Sequence, residues 1–355
     1  MALTHSVRPR PYAILAIALA LPACSPAVAL ARKTAANWDS SQQRLVVKAG
    51  LMSQPATGGF GGAAPLSGAA LHQALEALAA RTTEGEQPDE GEAQPAPPPV
   101  PAVSSSATVS LTRFDALLVQ SLGLSSTASH VQQVAAGAGL RPPSYFGTEV
   151  VARYLGLRYD HPAGEDSLEL YPWNAITRAE AAHSLAVVLE RGGWAVQDAR
   201  ETLDAFSLPS YSATQLQVLR IAVSKIGMPY VWGGTTDGTE DGLEHGGYDC
   251  SGFAWRVYKV SGLSWGAKIL GRTAAEQAGE IPKSARVSLS QVKPADLLFF
   301  GSAHFNSKAT EANVIHEGIA LSSEWAIHSS DQGVYVLPLD SGWLAKQFAW
   351  ARQVL

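Results

Sequence analysis

Cysteine is almost missing from this 355-residue chain, which has only Cys24 and Cys250. Arg8 and Arg10 precede an apolar run from Tyr12 to Ala20. Ala27-Val28-Ala29 or Ala29-Leu30-Ala31 then offers the small-residue pattern of a signal-peptidase site, so residues 1–31 read as an export signal. Removing it leaves Cys250 without a partner, which excludes a disulfide framework. No later apolar run reaches the ~20 residues of a transmembrane helix, so no membrane span is expected. An excess of basic charge is missing too. The formal charge is −5, becoming −7 once Arg8 and Arg10 leave, and a nucleic-acid partner would want a basic face. Leu21-Pro22-Ala23-Cys24 also has the form of a lipoprotein box that would lipidate Cys24, but Pro22 departs from the usual small residue, so plain secretion is the expectation.

What is present divides the chain. Leu45 to Met52 reads as a helix ending near Gly50, and Leu71, Leu75 and Leu78 line one face of another between Ser67 and Arg81, giving a helical unit over 37–82. Residues 83–107 are acidic, then proline-rich through Pro97-Pro98-Pro99, then serine-rich, and read as an extended linker. A second helical region covers 108–206. Leu66-Ser67-Gly68-Ala69-Ala70-Leu71, Leu111-Thr112-Arg113-Phe114-Asp115-Ala116 and Ile176-Thr177-Arg178-Ala179-Glu180-Ala181 each open an apolar-periodic helix. Thr112 and Thr177 are the expected N-caps, with Asp115 and Glu180 placed as in a capping box.

From residue 212 the pattern changes. Ser212 or Thr214 caps a helix closed by Gly227 and Pro229. Cys250 opens a second helix, with Phe253, Val257 and Val260 on one face and Gly262 at its end. A thiol at a helix N-terminus meets unpaired N–H groups and the positive end of the dipole, which favours the thiolate. The residue types leave two readings open, a nucleophile or an inert buried thiol. Strand-like runs follow at 296–300, 313–321, 324–329 and 333–337. Helices first and sheet afterwards give an α+β fold.

Several ordered motifs carry a resemblance. Tyr230-Val231-Trp232-Gly233-Gly234, Asp249-Cys250-Ser251-Gly252-Phe253, Arg272-Thr273 with Gln277, Pro294 to Phe300, Ile315-His316-Glu317-Gly318-Ile319 and Ile327-His328 together resemble the NlpC family of papain-like cell-wall cysteine peptidases over about residues 212–352. The resemblance implies a papain-like half-barrel or sheet. It makes Cys250 the nucleophile, His316 the base and acid, and His328 the orienting third residue. It also implies that Tyr230 aids the oxyanion, and that Asp249 and Ser251 recognise stem peptide, although Asp249 serves equally as N-cap of the Cys250 helix. Two features depart from the family: Glu317 replaces an apolar residue, and the 235–247 segment is long. His245 and His304 read as loop residues. Cys250, His316 and His328 are numerous enough for a catalytic zinc, but no ligand pair has the short spacing of such a site, so no cofactor is implied. A three-residue turn, 321–323, would set His316 directly opposite His328 on one sheet face.

The helix starts of the N-terminal part resemble S-layer homology repeats, which implies association in threes and binding of an anionic secondary wall polymer through Arg113 and Arg178. Trp173 beside the third start suits either sugar stacking or packing. The whole reads as an exported peptidoglycan endopeptidase that acts on stem peptides and, by resemblance, cuts the γ-D-glutamyl bond to a diamino acid. A same-fold amidase or acyltransferase and an inactive wall-binding protein are the alternatives.

Overall fold

Residues 38–355 of the computed structural model are described here, apart from 56–57, 86–99, 101, 106–107, 163, 303–309 and 341. The expected export signal, the Cys24 box, His304 and most of the expected linker lie outside the described residues. In the N-terminal part, α1 (Ser40–Lys48) closes at Gly50, whose φ of 71° is the left-handed conformation of a helix C-terminus. Then come α2 (Gly68–Gly85), α3 (Leu111–Ser121), α4 (Ser125–Gly137), α5 (Phe146–Tyr154) and α6 (Arg178–Asp204), two helices meeting at Gly192. Helix α2 continues to Gly85, past the expected boundary at 82 and into the stretch read as linker.

The segments that open α2, α3 and α6 meet in one seam, through the bridges Pro65 to Thr177, Ser67 to Thr108 and Ser110 to Ala175. Leu66 N–H donates to Ile176 O at 2.8 Å and Ile176 N–H to Val109 O at 2.9 Å. Leu66, Leu111 and Ile176 are buried there, so separation in sequence does not separate these starts in space. The expected caps need correction. Ser110, not Thr112, caps α3 by accepting from Arg113 N–H. Thr177 does cap α6, accepting from Glu180 N–H. Asp115 and Glu180 complete no box, because they lie on the inner helix faces: Asp115 takes Arg158 at 2.7 Å, and Glu180 faces Arg158 and His161.

The second part starts with α7 (Ala213–Ser224), held by a Ser212–Gln215 capping box. After the short strands β1 (Thr235–Thr236) and β2 (Gly247–Tyr248) come α8 (Cys250–Val260) and α9 (Ala274–Gly279). Then follow β3 (Arg286–Val287), β4 (Leu297–Gly301), β5 (Val314–Ala320), β6 (Trp325–Ser330), β7 (Gly333–Pro338), α10 (Gly342–Gln347) and β8 (Phe348–Arg352). The last six strands form one antiparallel sheet in the order β3-β8-β4-β5-β6-β7, so the expected α+β architecture is present. Side chains alternate across it. Phe299, Ile319, Ile327 and Trp350 join the main core beneath α8, while Leu298, Phe300, Ala320, Ala326 and Phe348 pack with Leu344 of α10 on the other face. In α8, Phe253 and Val257 are buried as expected, but Val260 is exposed at the last turn.

An arginine of a buried ion pair in α5 joins the two parts. Arg153 of α5 reaches Glu149 and donates to Gly227 O at 3.1 Å, two residues before Pro229-Tyr230. Removing one partner of such a pair leaves the other charge buried, at a cost of about 3 kcal/mol or more. Urea unfolding should therefore show Arg153→Ala less stable by about that amount, whereas a change within ~0.5 kcal/mol would mean that the contact braces nothing.

Candidate active site

The site is assembled around Asp249. Its side chain caps α8, with Oδ1 accepting from Gly252 N–H at 2.6 Å, while Oδ2 accepts from Gly233 N–H at 3.0 Å. Arg272 closes on both oxygens, at 3.0 and 2.8 Å, and Ser251 Oγ donates to Oδ1. One carboxylate thus ties the Tyr230–Gly234 loop, the start of α8 and the segment before α9 to one another. Cys250 follows it as the first residue of α8. Gln277 of α9 is fully buried and donates to Ser251 O at 3.2 Å, fixing the same turn from behind. The N-cap expectation for Asp249 holds. Asp249 and Ser251 are both buried, and the Arg272 that they hold is partly exposed.

His316 and His328 do share a sheet face, and His316 Nε2 lies 2.8 Å from His328 Nδ1. The expected register is corrected by two residues. Gly318, not His316, is directly opposite His328, and Ala320 faces Ala326. The turn is longer than three residues because Leu321 and Ser322 N–H both donate to Trp325 O, while Ser322 Oγ accepts from Glu324 and Trp325 N–H. A shift of two preserves the face, and the rings meet diagonally across the space that Gly318 leaves open. Trp343 of α10 stands edge-on to His316 with ring centroids 5.4 Å apart, and Tyr335, opposite His328 on β7, packs on it at 4.3 Å. No motif marked either aromatic residue in the sequence.

Electrostatics reverse one expectation. The helix start was expected to favour the thiolate, yet the Cys250 thiol is pushed up to about 12. Burial is the main cause, followed by the charges of Glu317 and Asp249; the backbone N–H groups of Glu317 and Ser251 oppose it without prevailing. Burial also drives His316 down to about 4, and His328 well below its usual range, with His316 adding to the effect. Burial thus favours the uncharged form of the thiol and of both imidazoles. Tyr230 is half-buried near Cys250, its hydroxyl held above the usual range by burial and by the nearby sulfur.

Other expected residues are placed as follows. Arg113 is exposed at the start of α3. The Arg178 guanidinium donates to Phe60 O and Ser53 O and lies over the Phe60 ring. His245 stacks near Tyr171, outside the histidine pair. Trp173 is 62% exposed and stacked on Tyr171. No described helix is long and apolar enough to cross a membrane.

Because His316 is neutral when folded and free to protonate when unfolded, its contribution to stability is fully present above the unfolded value of 6.5 and is lost as pH falls toward about 4. Over that window the protein should lose about 3 kcal/mol more than His316→Gln, measured by urea unfolding at each pH; parallel curves for the two would contradict the buried neutral ring.

Residues 227–353 match the model of the NlpC/P60 family. The chain is 32% identical over 126 residues to the bifunctional muramidase/DL-endopeptidase CwlT of Bacillus subtilis, covering 36% of this chain and 32% of that protein. It is 29% identical over 131 residues to the γ-D-glutamyl-L-lysine dipeptidyl-peptidase of the same organism, covering 37% of each. A crystal structure of an NlpC/P60 family protein from Bacillus cereus aligns over 42% of both chains at 25% identity, with a TM-score of 0.31. The chain spans about a third of the length of these two curated relatives.

Proposed function

Residues 227–353 belong to the NlpC/P60 family, and from that premise we propose that the chain is an exported peptidoglycan hydrolase whose Cys250 attacks a stem-peptide amide, at the γ-D-glutamyl bond to a diamino acid. The observation that supports this reading is a thiol at the Asp249-capped helix start in the same domain as a buried, hydrogen-bonded His316–His328 pair. In the resting state the nucleophile is a thiol, so the proton must leave as the carbon–sulfur bond forms. His316 is the acceptor, and it returns the proton to the departing amine. His328 Nδ1, in contact with His316 Nε2, fixes which nitrogen of the base is free. The backbone N–H of Cys250 and the Tyr230 hydroxyl are the donors assigned to the oxyanion, each of the kind that contributes about 3 kcal/mol. Arg272, anchored on Asp249, presents a partly exposed cation for a carboxylate of the stem peptide.

A second reading concerns the helical part. The three-way seam of its helix starts and the exposed Arg113 support binding of an anionic secondary wall polymer. Arg113→Ala should lower, and high salt should weaken, sedimentation of residues 38–355 with walls that carry such a polymer.

Mass spectrometry of fragments from purified wall tests the main reading. The expected products carry a new free γ-carboxyl on D-glutamate and a new free amine on the diamino acid. Cys250→Ser should abolish them while leaving the thermal transition nearly unchanged. His328→Asn should keep much of the activity, because an amide oxygen can accept from the imidazole, and His328→Ala should lower kcat more than it raises KM. Turnover by Cys250→Ser, or cleavage confined to a side-chain amide, would overturn the proposal.

A further inference from the structure

Glu317 takes no part in the chemistry above, although it follows the base directly. It lies opposite Phe299 on β4 and faces α8 and α9, on the side of the sheet away from His316. It is 0% exposed, and among the described residues neither carboxyl oxygen has a hydrogen-bond partner. The cations whose charge reaches it are both engaged, Arg272 on Asp249 and Arg352 on Glu280 at 2.6 Å. The acids Asp249 and Glu280 repel it. From α8 it meets Cys250 and Tyr258, whose hydroxyl already donates to Ala295 O. An unpartnered buried carboxyl costs folding free energy that an apolar residue at this position would not. Its backbone N–H points at the Cys250 sulfur, and its side-chain charge acts on the same atom.

We propose that Glu317 is a charge governor of the nucleophile: a sealed, unpartnered carboxyl beside Cys250 that, once ionised, opposes the thiolate and holds the site in its thiol form. Two like charges in one desolvated space cannot both form freely, so the two groups titrate as a coupled pair. The wild-type thiolate then appears in two steps. The first is possible while Glu317 is neutral. The second is delayed until the sulfur ionises against the carboxylate. Glu317 touches neither substrate nor reacting bond in the proposed reaction, and it acts through Cys250. As a regulator of hydrolysis it rests on the peptidase reading; as a regulator of the thiol it does not.

Alkylation of Cys250 by iodoacetamide, followed by intact mass from about pH 6 to 10, separates the two. Wild type should give a bent profile, and Glu317→Gln a single unbent rise. At the alkaline end Glu317→Gln and Glu317→Val should alkylate at least about tenfold faster, the effect of removing one neighbouring like charge. The raised carboxyl also destabilises the fold as pH climbs above its ordinary value of 4.5, so both variants should unfold at higher urea than wild type, with a margin that grows with pH. This second measurement shows that the variants are folded. Superimposable alkylation profiles for wild type and folded variants overturn the proposal. Faster alkylation without muropeptide cleavage supports the governor and counts against the peptidase reading.

Discussion

The Asp249 carboxylate is the interaction on which the site depends. It accepts from the N–H groups of Gly233 and Gly252 and is gripped by Arg272, so three segments distant in sequence are fixed by one charge. This accounts for why so short a helix start can hold a reactive residue in place. The cap fills the positive end of α8 with its own negative charge, and the helix therefore has less left to offer the sulfur. Cys250 pays for its position beside this hub with a thiol that is hard to ionise.

Burial sets the rest of the chemistry. His316 lies in β5 between the sheet and Trp343, His328 lies behind it against Tyr335, and both rings are stripped of water. Thiol and imidazole are each most stable uncharged in such a place. Glu317 extends the same logic to the other face of the strand. The helical part contributes from outside, through Arg153 on Gly227 O and Arg158 N–H on the Gln332 side chain, and so braces both the loop that leads to Tyr230 and the β6–β7 turn.

The catalytic half was legible because its signals are local. Ser212, Asp249 and Thr177 are capping residues whose function needs only the next turn, and all three cap as read. The parity of the His316–His328 hairpin was readable from alternation, but its register was not, since Ser322 Oγ and the Trp325 carbonyl reshape the turn. Strand β8 went unread because Phe348 to Arg352 follows α10 without a turn signal and enters the sheet between β3 and β4, a long-range pairing. Asp115 and Glu180 were read as capping-box partners because local spacing carries no record of the inward-facing Arg158 and His161. The contacts of Arg178 were unreadable for the same reason, its partners Ser53 and Phe60 lying more than a hundred residues away. The sign of the Cys250 shift failed because a helix dipole can be inferred from sequence, whereas desolvation cannot.

The central claim is that the Cys250 thiol and the His316–His328 imidazole pair both rest uncharged. The most direct test is the 15N spectrum of the protein labelled at histidine, with His316 and His328 assigned by substitution and followed from about pH 5 to 8. The account predicts two neutral rings of fixed tautomer throughout, with the same signals in Cys250→Ser. An imidazolium signal for His316 at neutral pH that disappears when the sulfur is replaced would show a thiolate–imidazolium ion pair and contradict it.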